Sequence, residues 1–165
     1  MDDPHAGSYA RDPQIEDLAR ICQALNAAGA KYLLIGGFAM IAHGGTRTTK
    51  DIDLLVDASP ENVARVKQGL CVLEDKAANE VKDDDVARYT VVRVADEVLV
   101  DLMAKACGID YETAAQDLEF VTIEGVSVPT ASVRTLIRTK DTFRPSDIAD
   151  RQYLHALLEA EHDGR

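Results

Sequence analysis

The sequence predicts an α+β (α/β) domain: a mixed, mainly antiparallel sheet flanked by helices, with further helices at the C-terminal end. Three observations predict it. Segments with apolar residues at helical spacing alternate with short β-rich runs. Two pairs of those runs flank turn-forming dipeptides, Ala95-Asp96 and Glu124-Gly125, as antiparallel hairpins do. No internal repeat or low-complexity linker divides the chain, so 165 residues read as one domain over 13–160, with C-terminal helices from about 130.

The elements follow in order. Residues 1–12, polar and acidic, read as a disordered arm rather than a signal peptide, which would have a basic start and an apolar middle. Asp12-Pro13 suits a helix start, and Leu18, Ile21, Cys22, Leu25 and Ala28 carry the helix over 13–28, where Gly29 ends it. Lys31–Ile35 is a short strand, and Gly36-Gly37 opens a short helix over Phe38–His43. Ile52–Val56 is the next strand, and Ser59-Pro60 caps a helix to about Leu70. The acidic stretch 83–85 reads as a solvated loop. Arg88–Val94 and Glu97–Met103 form the first hairpin, and Asp110 caps a helix over 111–117. Phe120–Ile123 and Val126–Val128 form the second hairpin. Thr130 caps a helix to about Thr139, and Pro145 opens a last helix to about Ala160.

A net charge of −11 argues against a broad nucleic-acid-binding surface. The basic residues are local: Arg47 and Lys50 in "TRTTK", then Arg134, Arg138, Lys140 and Arg144 in "SVRTLIRTKDTFRP". A positive pocket in an acidic protein fits a phosphate ligand better than a long duplex. Cys22, Cys71 and Cys107 are scattered without CxxC spacing, an odd count that suits a reducing cytoplasm and argues against a disulfide framework. No apolar run approaches a membrane span, so no membrane partner is expected.

Residues two apart on a strand point to one face, so Asp51 and Asp53 in "KDIDLLV" project together while Ile52 and Leu54 face the other way. Like charges this close favour an intervening cation, and Mg²⁺, or Mn²⁺ in its place, takes such carboxylates while sharing its other positions with phosphates. The alternative is an edge strand with solvated acids. Asp101 is a lone carboxylate in "EVLVDLMAKA", costly unless it is paired, metal-bound or at a strand end facing water. Gly36-Gly37 at a strand-to-helix junction either lets a phosphate approach the backbone or makes a plain tight turn. No Walker loop, GxGxxG, HExxH or GxSxG is present.

Taken together and in order, "IGGFAMIAHGGTRTTKDIDLLV" resembles the nucleotidyltransferase superfamily of DNA polymerase β-like fold. Its signature is an apolar residue, Gly, Gly or Ser, about a dozen residues, then Asp-x-Asp/Glu between apolar neighbours. "HGGTRTTKDIDL" and "VPTASVRTLIRTKDTFRPSDIADRQYL" look like the small bacterial branch related to AbiEii-type toxin nucleotidyltransferases, and the resemblance spans about 15–158. It implies a nucleotidyltransferase-type sheet, with Asp51 and Asp53 holding two Mg²⁺ and the triphosphate, and Asp101 joining the ion that activates the acceptor hydroxyl. Gly36 and Gly37 would cradle phosphate oxygens. Many members carry Ser at the second glycine; here Gly37 offers backbone alone. Lys140 and Arg144 would neutralise the triphosphate or anchor the acceptor, their plainer reading being surface charges at a helix end. Arg47 would touch phosphate or pair with acids. Asp147 and Asp150 would orient Lys140 or serve the helix dipole, and His43 reads as a packed or capping residue rather than a base.

The expected activity is transfer of a nucleoside monophosphate from an NTP to a hydroxyl, with a tRNA end as acceptor in a toxin-like enzyme that has an antitoxin protein as partner. Two alternatives stand beside it: an antibiotic-modifying (lincosamide or aminoglycoside) transferase acting on a small molecule, and a non-catalytic nucleotide-binding regulatory protein. Apolar residues on the C-terminal helices serve either to cover the sheet or to form a homodimer face.

Overall fold

The computed structural model describes residues 10–164. Its main sheet has six strands in the order β3-β4-β2-β1-β8-β7. Helix α1 (Ile15–Ala27) leads into β1 (Tyr32–Ile35), α2 (Gly36–Ala42), β2 (Asp51–Val56) and α3 (Pro60–Leu70). A 3₁₀ turn (Ala77–Glu80) and α4 (Asp85–Arg88) precede the hairpin β3 (Val92–Ala95) and β4 (Leu99–Met103). Two-residue strands β5 (Lys105–Ala106) and β6 (Ile109–Asp110) pair separately, followed by α5 (Tyr111–Ala115). The hairpin β7 (Glu119–Ile123) and β8 (Val126–Thr130), then α6 (Val133–Thr139) and α7 (Pro145–Asp163), complete the chain. Three pairings in the main sheet are antiparallel (β1·β2, β3·β4, β7·β8) and two are parallel (β2·β4, β1·β8).

The core follows from the two periodicities. Leu18, Ile21, Cys22 and Leu25 make one fully buried stripe on α1, and Val63, Val66 and Leu70 make another on α3, which packs against it. Every residue of β1 is buried, as a central strand covered on both faces requires. Asn62 on α3 fixes how the two central strands begin and end. Its Oδ1 accepts from the Lys31 N–H (2.7 Å), and its Nδ2 donates to the carbonyls of Lys31 (2.9 Å) and Asp57 (2.7 Å). Such satisfied bonds are what allow a polar side chain to be buried here.

Several boundaries differ from the sequence expectations. The α1 cap is Gln14, not Asp12: the side chain of Asp17 accepts from the Gln14 N–H in a capping box, which displaces the start by two residues. Residues 1–9 of the expected disordered arm lie outside the described residues. Arg11, within that arm's expected span, is held by a double hydrogen bond to Asp17 (both 2.6 Å) and by its own N–H to the Glu97 carbonyl. Thr130 ends β8 instead of capping α6. Ser132 is the cap, accepting from the Thr135 N–H, because the Ala131 N–H still pairs with Leu34 and keeps the chain extended to that point. Asp85, expected in a loop, begins α4, and this helix takes up Arg88, expected in a strand.

Candidate active site

One cleft of about 550 Å³ is lined by Gly36, Gly37, Arg47, Asp51, Asp53, Asp101, Lys140 and Arg144, all named from the sequence as candidates. The centre is built by strand register. β2 runs parallel to β4 with Asp53 opposite Asp101, and Asp51 lies two residues earlier on the same face. One carboxylate oxygen from each of the three can be chosen so that all lie within 4.8 Å of one another. Ile52 and Leu54 point the other way and are fully buried.

Gathering three carboxylates is electrostatically uphill. Burial, then the charges of Asp51 and Asp101, push Asp53 up to about 7, with Lys140 opposing. Burial and the charge of Asp101 likewise raise Asp51, with Arg93 opposing. The donor set fits a hard divalent cation: carboxylate oxygens from two adjacent strands, facing an open cleft with room for waters and phosphates. Asp51, Asp53 and Asp101 are the residues that would hold it.

Arg93 on β3 was absent from the sequence candidates. It is the cross-strand partner of Asp101. Its Nε donates to Asp101 Oδ1 (2.8 Å), and its Nη2 donates to Asp101 Oδ2 (2.9 Å) and Asp51 Oδ2 (3.0 Å). The hydrogen bond to Asp101 raises the guanidinium pKa further above its usual value, so it stays charged.

The glycine turn is tied to the carboxylates by steric fit. Gly36 has φ +71°, and a Cβ there would overlap the Asp53 carboxylate and come within 2.9 Å of its Cγ. At Gly37 a Cβ would lie 2.7 Å from Thr49 Oγ1 and 2.8 Å from Thr49 Cβ. The absence of serine at Gly37 therefore has a physical reason: Thr49, whose hydroxyl donates to the Asp51 carbonyl (2.9 Å), takes the space. Thr49 also lines the cleft and was not among the candidates.

The opposite wall comes from the chain between α6 and α7. Lys140 is only 5% exposed, and its Nζ donates to Asp150 Oδ2 (2.9 Å) and lies 4.0 Å from Asp147. Arg47 shares Asp150, and Arg144 pairs with Asp147 (2.8 Å). Burial alone would raise Asp147, but hydrogen bonds from Thr142 and Arg144 outweigh it and hold the carboxyl below its ordinary value. Arg134 and Arg138, grouped with these cations in the sequence, line other surfaces. His43 caps α2, with its ring Nε2 2.9 Å from the Ala131 carbonyl, and it does not line the cleft.

No protein-family model matches the chain. No curated protein matches it either. Among solved structures, a Thermotoga maritima protein described as a candidate nucleotidyltransferase superposes with a TM-score of 0.54 over 92% of this chain and 93% of that one, at 13% identity. At that identity the likeness is one of fold: the mixed sheet and its helices are nucleotidyltransferase-like. Among the described residues, no helix is long and apolar enough to cross a membrane.

Proposed function

We propose that the chain is a Mg²⁺-dependent nucleotidyltransferase that moves a nucleoside monophosphate from an NTP to a hydroxyl acceptor. The observation that carries this reading is the convergence of Asp51, Asp53 and Asp101 within 4.8 Å, in a cleft that also gathers the glycine turn and the cations Arg47, Lys140 and Arg144. A divalent cation bound at the carboxylates supplies charge neutralisation on the phosphates and a lowered pKa for the acceptor hydroxyl.

The chain's own residues do the rest. The backbone N–H groups of Gly36 and Gly37, two residues without side chains of their own, would meet phosphate oxygens at the turn between β1 and α2. Lys140, locked by Asp150 at 2.9 Å, presents a fixed positive charge, and Arg144 at the rim receives the phosphate tail. The acceptor oxygen attacks the α-phosphorus, a P–O bond to that oxygen forms, and pyrophosphate leaves with the pair of the broken P–O bond. With a cation held there, Asp53 would stay ionised beside Asp51 and Asp101 as a ligand, and the proton of the acceptor hydroxyl would pass to bulk water.

We take a tRNA end as the acceptor and a toxin-like role with an antitoxin partner as the setting, on the wording of the motifs around Asp51 and Lys140. The confined basic wall fits a nucleic-acid tip better than a duplex. The test is transfer of label from each α-labelled NTP, with Mg²⁺, to total RNA and to a panel of aminoglycosides and lincosamides. Labelled tRNA is expected. A labelled antibiotic replaces the acceptor assignment, and binding of NTP without transfer to any acceptor supports a regulatory protein instead.

A further inference from the structure

The cation proposed above and Arg93 draw on the same carboxylates, Asp51 and Asp101. Asp101 gives both oxygens to the Arg93 fork, and Asp51 gives Oδ2 to the same Nη2 that holds Asp101 Oδ2. That nitrogen sits 3.0 Å and 2.9 Å from the two carboxylate oxygens, between them. A Mg²⁺ ion bridging Asp51 and Asp101 would sit at about 2.1 Å from oxygens of the same two groups. Two cations cannot share that space without strong repulsion.

The placement of Arg93 is a product of the fold. The three-residue connection 96–98 sets Arg93 opposite Asp101, with the neighbouring Val94 buried on the other face. The two contacts differ in kind. Asp101 is 6% exposed and is gripped by two parallel hydrogen bonds, whereas the Asp51 contact is a single bond to a side chain 28% exposed. The fork on Asp101 is the stronger of the two, because both its prongs are charge-assisted.

We propose that Arg93 is the cluster's internal counter-cation: it stays forked on Asp101, and a divalent cation has to displace it from Asp51 to bind. This rests on the carboxylates being a cation site. It makes Arg93 a positioning residue that sets how much divalent cation the protein requires. Removing its charge frees Asp51 and tightens cation binding, although it also removes a partner from Asp101. A residue that merely oriented Asp101 as a ligand would do the reverse.

The experiment is Mn²⁺ titration of the chelator-stripped chain by calorimetry, without nucleotide, for wild type, Arg93→Gln, Arg93→Lys and Asp53→Asn. Arg93→Gln is expected to bind Mn²⁺ about tenfold more tightly, the scale of one charge-assisted contact given up. Arg93→Lys, which keeps the charge, is expected to stay near wild type. Equal or weaker binding in Arg93→Gln, with wild type binding and Asp53→Asn not, overturns this inference and leaves the cation site standing. No Mn²⁺ binding by wild type overturns both. Mg²⁺ titration of ¹⁵N-labelled wild type gives a readout that does not depend on a variant folding. A saturable shift of the Arg93 side-chain signals is expected, and unmoved signals while Mg²⁺ binds overturn the inference.

Discussion

The carboxylate of Asp53 fills the space that a side chain at Gly36 would need. A Cβ added at Gly36 would come within 2.9 Å of both Cβ and Cγ of Asp53, on a backbone already at φ +71°. The end of β1 and the middle of β2 are thus fitted to each other, with Ile35 paired directly to Asp53. Gly36→Ala is expected to destabilise the fold by about 2 kcal/mol or more, from left-handed strain plus the clash. It also pushes Asp53 out of the cluster. Thermal melting with Mn²⁺ titration checks this, and an unchanged melting temperature with wild-type cation binding would contradict it.

Asp53→Asn separates function from stability. The folded-state pKa of Asp53, about 7, lies above the ordinary 3.8, so between those values the folded chain holds the proton more tightly than the unfolded chain does. In chelator, this residue's contribution therefore weakens stability as pH rises from about 4 to about 7. At pH 8 in chelator, Asp53→Asn is expected to melt several degrees above wild type, each kcal/mol relieved being worth about 2–4 °C in a domain of this size. It loses its response to Mg²⁺ at the same time.

Lys140 gives the opposite result. It is buried against Asp150 and near Asp147, so Lys140→Ala takes one cation from a network in which Asp150 keeps only Arg47 and Asp147 only Arg144, and is expected to cost about 2 kcal/mol. Asp150→Asn would strand Lys140 in turn. A double-mutant cycle by chemical denaturation measures the coupling, and additive losses would refute a shared network.

These two walls were not equally legible in the sequence. Asp51, Asp53 and the glycine turn could be read because alternation along a strand and a glycine pair are local signals. Asp101 could be named because a lone carboxylate in an apolar run is conspicuous. Arg93 could not, because its role depends on hairpin register. A two-residue turn at Ala95-Asp96 would set Thr90 opposite Asp101, whereas the three-residue connection sets Arg93 there. The burial of Lys140 was hidden for a related reason: its partners lie on α7, and the angle at which α7 returns against α6 is a property of packing. Thr130 misled as a cap because a β-strand and a cap residue share extended backbone angles, and the parallel pairing with β1 decided between them.

The N-terminal anchor sets an acid limit on stability. The hydrogen bonds from Arg11 lower Asp17 to about 2, against burial, with the Gln14 N–H adding to the effect. A depressed carboxyl contributes stability above its unfolded value near 4 and loses it as pH falls through about 2. The melting difference between wild type and Asp17→Asn is expected to be full at pH 5 and to shrink toward pH 2. A difference independent of pH would show that the pair contributes nothing through its charge.

The central claim is that Asp51, Asp53 and Asp101 form a divalent-cation site that recruits a nucleoside triphosphate to the glycine turn. Its most direct test is equilibrium binding of a non-hydrolysable NTP analogue with and without Mg²⁺, in wild type and in Asp53→Asn shown by circular dichroism to be folded. The account predicts saturable binding by wild type that requires Mg²⁺ and disappears in Asp53→Asn. Binding that ignores Mg²⁺ or survives in the folded variant, or no binding by wild type at all, would contradict it.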